Sequence, residues 1–248
     1  MCRLLAYTTN KPAESTTRLI EALKEFRTLA VKGCVPCGSE PGHNDGWGIS
    51  AYKDGAVALY YRSIKPAGED AEFGNILKII ADTQPELLIA HLRKTSMGGN
   101  VMINTQPFVS DIYTFCHNGT IEMEKQKISD SLRFFRDVME KHRGDEYAFV
   151  NAHREMAEMY DYTAMNMFFS DGEKITVVQD YNEAHPKAEE LDFEKYYTLW
   201  EMKGENSSFV CSEPLNSISG FAKKTLENKH FYYYAEGAGA EVSEPYDY

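Results

Sequence analysis

Short apolar runs broken by turn residues, interrupted once by two consecutive helical segments, constrain this chain most. Arg3 to Thr8 reads as a buried strand. Leu19, Ile20, Leu23, Phe26 and Ala30 recur at helical spacing over 16–30, and Gly33 is the expected stop. Residues 31–46, rich in Gly, Pro, Cys, Ser and Asn, read as a long loop of the kind that often carries function. Strands at 49–52 and 56–61 flank Asp54-Gly55, a hairpin signal. A helix over 71–81 and a buried strand over 86–92 follow. The next strand, 112–117, is expected to end in a tight turn at Asn118-Gly119. Ser129 is an expected N-cap for a helix carrying Leu132, Phe135, Val138 and Met139, and a second helix spans about 145–160. Strands at 165–169 and 175–179 flank Asp171-Gly172, and 196–202, 208–211 and 230–234 complete the strand set. Strands, two adjacent helices, then more strands predict an α+β chain with antiparallel pairing, not alternating βαβ units. The tail from Ala235 to Tyr248, which has acidic residues but no Lys or Arg, is expected to be peripheral.

The chain has 248 residues, enough for one large domain, and 43% of them are hydrophobic. Its net charge of −12 argues against binding nucleic acid or an anionic membrane surface, both of which need clustered Lys and Arg. No apolar run approaches the roughly 20 residues of a membrane-spanning helix. The apolar start is too short for a signal peptide, so a cytoplasmic chain is the expectation. Five cysteines, an odd number, make a disulfide framework improbable.

Cys2 would become the first residue if Met1 were removed. It then reads either as a small buried residue opening a strand or as a thiol carrying its own α-amine. Such an amine, with a reference pKa of roughly 7.7–8.0, can serve as the base that activates the thiol. His43-Asn44-Asp45-Gly46-Trp47-Gly48 reads as a turn before a strand, or as backbone passing close to a buried site. Arg93, at the end of an apolar strand, is either solvated or a carboxylate clamp. Asn118-Gly119 is a turn, or an oxyanion hole made from a side-chain amide and a backbone N–H.

Taken in order, Cys2, Asn44-Asp45-Gly46-Trp47-Gly48, Arg93 before Thr95-Ser96, Asn104-Thr105-Gln106-Pro107-Phe108, His117-Asn118-Gly119 and Ser129-Asp130-Ser131 resemble the class II glutamine amidotransferase family. That family belongs to the N-terminal nucleophile hydrolases, and the similarity is greatest to its small stand-alone members. It runs from Cys2 to about Ser131 and continues more weakly to Cys211-Ser212-Glu213-Pro214. The chain departs from the family pattern at Lys94 and Gln106.

The resemblance implies a four-layer αββα sandwich, with two antiparallel sheets between helical layers, formed by a single domain over 1–248. It implies Cys2 as nucleophile, Asn118 and Gly119 as oxyanion donors, Arg93 with Ser96 as helper on the substrate α-carboxylate, and Asp130 on the α-ammonium. The substrate is then glutamine or a γ-glutamyl compound, with no cofactor and no metal. A separate synthase subunit is a candidate partner, and homo-oligomerisation is open. Alternatives are a pathway-specific γ-glutamyl amide hydrolase and a non-catalytic glutamine-binding regulator. Cys34-Val-Pro-Cys37 is a lone CxxC in a loop, read as structural, with His43 the one neighbour that could extend it into a metal site.

Overall fold

In the computed structural model, residues 2–124, 126–141, 148–235 and 241–242 are described. The first half contributes β1 (Arg3–Thr9), α1 (Pro12–Lys32), β2 (Trp47–Lys53), β3 (Ala56–Ser63), α2 (Glu72–Thr83), β4 (Leu87–Leu92) and β5 (Phe108–Ser110). The second contributes β6 (Tyr113–Ile121), α3 (Asp130–Lys141), α4 (Ala148–Met159), β7 (Tyr162–Ser170), β8 (Lys174–Gln179), α5 (Phe193–Tyr197), β9 (Trp200–Lys203), β10 (Ser207–Cys211), β11 (Ala222–Thr225), β12 (His230–Ala235) and β13 (Glu241–Val242).

Two sheets form. One has the order β11-β9-β10-β1-β4-β2-β3, the other β13-β12-β8-β7-β6-β5. Every strand pair is antiparallel. The side chains explain the stacking. Odd-numbered β1 residues Leu5 and Tyr7 pack with Leu19, Leu23 and Phe26 of α1 and with Phe73 and Ile80 of α2. Even-numbered Leu4 and Ala6 face Cys116, Phe168 and Val177 of the other sheet. Phe115 and Met167 turn outward against Phe134, Phe135 and Val138 of α3 and Phe149 of α4. The layers are therefore helix, sheet, sheet, helix, the expected α+β sandwich. Burial of β4 on both faces accounts for its apolar run, interrupted by His91 alone, whereas β3 at an edge alternates.

Three expectations are corrected. Asn118-Gly119 is not a turn: β6 runs through it, pairing Asn118 with Asn166 and Gly119 with Met165 before a register shift at Gly119/Ile121. Pairing with β7 overrides the local turn preference, and the glycine is used for a bulge. Tyr196 and Tyr197 lie in α5, not in a strand, because Phe193, Tyr196 and Tyr197 form one buried helical face. α1 begins at Pro12, four residues before 16, with proline at the first turn. Of the tail, Ala235 closes β12 and Glu241–Val242 pairs along its outer edge; the rest lies outside the described residues, as do 145–147 of the second expected helix. No helix among the described residues is long and apolar enough to cross a membrane.

Phe168 is fully buried between the sheets. Phe168→Ala should lower unfolding free energy by about 3–5 kcal/mol, the range for buried Phe→Ala, read from the denaturant midpoint at constant m-value.

Candidate active site

Strand register brings the candidate residues to one end of the sandwich. Arg3 pairs with Leu92 and Trp47 also pairs with Leu92, so Cys2, Arg93 and Asp45-Gly46 meet at adjacent strand ends. Backbone bonds lock this junction: Asp45 N–H donates to Arg93 O (3.0 Å) and Arg93 N–H to Gly46 O (2.8 Å). The Asp45 carboxylate accepts Thr95 N–H at 2.7 Å. Cys2 Sγ lies 3.7 Å from Lys94 O.

The other sheet supplies the facing wall. Cys2 N–H donates to Asn118 Oδ1 at 2.6 Å, across the two sheets. That bond fixes the amide orientation, because a donor requires the oxygen. Asn118 Nδ2 is left over, buried and without an acceptor among the described residues. Gly119 has φ +150°, and a side chain there would land on the Ala164 carbonyl, so only glycine fits.

Asp130, capped within the first turn of α3, is 2% exposed. Its carboxylate accepts Ile121 N–H (2.8 Å) and Ser131 N–H (2.8 Å). Arg93 is 3% exposed and donates through Nη2 to Gly99 O (2.8 Å) and Met97 O (3.3 Å). Its Nη1 has no acceptor among the described residues. Burial lowers the Arg93 pKa, opposed by Cys2, Asp45 and Asp130 nearby. The described residues thus hold a buried cation and a buried anion in electrostatic range, neither ion-paired. Ser96 differs from these: it is exposed at the rim, and its hydroxyl accepts from Thr120 Oγ1 at 3.4 Å.

Other flagged residues act as supports. Asn104 joins the Arg93 loop to α3: its Nδ2 donates to Gly98 O (2.6 Å) and Lys127 O (3.1 Å), and its Oδ1 accepts Ser129 N–H (2.8 Å). Ser129 in turn caps α3 through Leu132 N–H (3.2 Å), as expected. Gln106 Oε1 accepts His117 N–H at 2.6 Å. A Cβ on Gly48 would meet Gln106 O at 2.6 Å, so this glycine lets the Gln106-Pro107 loop cross β2. Lys94 Nζ donates to the carbonyls of Glu40 and Gly42, tying down the loop after α1. Glu213 pairs with Arg3 (2.9 Å) and accepts Cys34 N–H (2.6 Å). All five cysteines are free thiols. Among the described residues, no group of three or more His, Cys, Asp or Glu is arranged to hold a metal ion.

His117 is a brace, not a base. Its Nε2 faces Ala164 O (3.1 Å) and so carries the proton; Nδ1 then accepts from Ser131 Oγ (2.9 Å). Burial lowers its pKa, and pushes those of His43 and His91 to about 2 and about 3.

The same sandwich occurs in known amidotransferases. It is found in glutamine phosphoribosylpyrophosphate amidotransferase of Bacillus subtilis, complexed with ADP and GMP (TM-score 0.63, 15% identity, 98% of this chain and 49% of that one). It also occurs in a glutamine aminotransferase class-II domain protein of Silicibacter pomeroyi (TM-score 0.60, 14% identity, 98% and 99%). At such identities the likeness concerns the fold alone, the α+β sandwich. In sequence, the family of glutamine amidotransferases class-II matches residues 1–188, and the chain belongs to that family. The protein MJ1515 of Methanocaldococcus jannaschii is 30% identical over 160 residues, 56% of this chain and 43% of that protein. YafJ of Escherichia coli K12, provisionally named a glutamine amidotransferase, is 27% identical over 173 residues, 67% of this chain and 60% of that protein. The chain spans about half the length of the curated relatives it matches.

The three buried histidines make stability acid-sensitive. Their folded pKa values lie below the unfolded value of about 6.5, so the unfolded chain binds more protons below that pH. Stability should be full above pH 6.5 and fall below it, by about 1.4 kcal/mol per pH unit for each histidine still neutral in the fold. Urea midpoints measured between pH 7.5 and 5 check this, and a flat profile contradicts it.

Proposed function

We propose that this chain hydrolyses the side-chain amide of glutamine, or of a γ-glutamyl compound, with Cys2 as an N-terminal nucleophile. The observation that carries the reading is the buried Arg93 and Asp130, each lacking a counter-ion among the described residues. An unpaired buried charge is costly, and a site that keeps two of opposite sign suits a zwitterion. Arg93 Nη1 would take the α-carboxylate and Asp130 the α-ammonium, with Ser96 assisting at the rim.

With Met1 removed, Cys2 offers thiol and amine on one residue. The amine takes the thiol proton, and Sγ attacks the amide carbon. The carbonyl oxygen becomes an oxyanion received by Asn118 Nδ2 and Gly119 N–H. The C–N bond breaks as the amine returns its proton to the leaving nitrogen, giving ammonia or an amine and a thioester. Water, deprotonated by the same amine, then releases glutamate. Ammonia delivery to a separate synthase is the same chemistry with a different recipient.

The test is glutamate release from a panel of glutamine and γ-glutamyl amides, with Cys2→Ala as control. The mass of active protein should lack Met1, and a diazo-ketone glutamine analogue should label Cys2. Tight glutamine binding with no turnover and no labelling would instead indicate a regulatory binding protein. Asn118→Ala should lower kcat by about 10²–10³, the usual loss for one oxyanion donor, with little change in KM. Arg93→Lys and Asp130→Asn should act mainly on KM, because they touch the non-reacting end of the substrate.

A further inference from the structure

A nucleophile at the start of a chain has a mechanical problem. Once nothing precedes Cys2, rotation about its Cα–C bond swings thiol and amine together. β1 pairing begins only at Arg3, so the strand ladder does not restrain that bond. The bond from Cys2 N–H to Asn118 Oδ1 holds one side of it; the other side depends on groups at the Cys2 carbonyl and on the residue that follows.

Both are held by one side chain. The Tyr196 hydroxyl donates to Cys2 O at 3.3 Å. The Arg3 guanidinium lies over the Tyr196 ring, 4.3 Å from its centroid, within cation–π range. Arg3 is fully buried and is further fixed by Glu213 Oε1 (2.9 Å) and by the carbonyl of Cys34. Ser212 Oγ accepts Leu4 N–H at 2.9 Å, completing the clamp on the first residues of β1. Burial keeps the Tyr196 phenol protonated, and therefore a donor, at any working pH.

We propose that Tyr196 is a positioning residue for the nucleophile: its hydroxyl fixes the Cys2–Arg3 peptide plane while its ring seats Arg3. It touches neither substrate nor the reacting atoms and acts through Cys2. The proposal rests on the amidohydrolase reading above. It adds a residue 194 positions away, on α5, an element outside the motifs that carry the family resemblance.

The experiment compares wild type with Tyr196→Phe, which keeps the ring and loses only the hydroxyl. The expected result is a kcat lower by about 10-fold with KM for glutamine within about twofold, as a slightly misplaced reacting group gives. Labelling of Cys2 by the diazo-ketone analogue should slow in parallel. Tyr52→Phe is the control, since it loses a buried hydroxyl bonded to Thr114 and Ile112 at the opposite end of the sandwich. It should lower Tm without lowering kcat. If Tyr196→Phe does not fold, 4-fluorophenylalanine at position 196 fills the hydroxyl volume without donating and is read in the same way. 4-Aminophenylalanine there restores a donor and should recover most of kcat. An active wild type with unchanged kcat in the donor-free variants overturns this role alone, as does a change confined to KM or Tm. A wild type that neither turns over nor is labelled overturns the activity and this role together.

Discussion

The bond from Cys2 N–H to Asn118 Oδ1 joins the two sheets at the end where the candidate site residues are gathered. Stacked sheets sit about 10 Å apart, a gap usually filled by apolar side chains. Here the middle of the gap is apolar, with Leu4, Ala6, Ile89, Cys116 and Phe168. Polar bridges occur towards its two ends. At one, Ser50 and Thr114 hydroxyls meet at 2.9 Å under the Tyr52 hydroxyl, and all of these polar atoms find partners. At the other, the bridge leaves donors over, Asn118 Nδ2 and Arg93 Nη1. A buried donor without an acceptor is destabilising, and at this end two such donors lie beside the Cys2–Asn118 bridge.

The side chains that support this end are hydrogen-bonded to backbone groups around it. Asn104 and Gln106 spend their side chains on backbone groups of the Arg93 loop, the α3 cap and β6. Both oxygens of Asp130 are held by main-chain N–H groups, so its charge cannot rotate towards Arg93 and cancel it. Preorganisation of this kind is what gives fixed charges their value in a site closed to water.

Much of this was legible in the sequence. Asp54-Gly55 and Asp171-Gly172 give hairpins because those residues tolerate the turn geometry wherever they sit. Ser129 caps α3 for an equally local reason. Asn118-Gly119 carries the same local signal and yet continues a strand, because β7 offers Asn166 and Met165 as partners across a separation the local pattern does not record. The aromatic run at 196–197 looks like a strand for its composition. Its helical spacing with Phe193 matters only once Ala164 and Tyr181 are there to cover it. Cys2, Arg93, Asn118, Gly119 and Asp130 were recognisable through the order of their motifs. Ser212 and Glu213, in the stretch where the resemblance is weaker, and Tyr196, outside every motif, brace Cys2 and the first residues of β1 from far along the chain, and no spacing rule connects Tyr196 to Cys2.

Gly119 has a consequence for how such a site can diversify. With the Ala164 carbonyl occupying the volume a side chain would need, the position is closed to every other amino acid. Beside it, His117 is committed through both ring nitrogens and Asn118 through its Oδ1. Freedom to vary lies instead at the solvent-facing lip, where Ser96 is exposed and its hydroxyl meets that of Thr120. The lip can drift in sequence while the strand beneath it stays fixed.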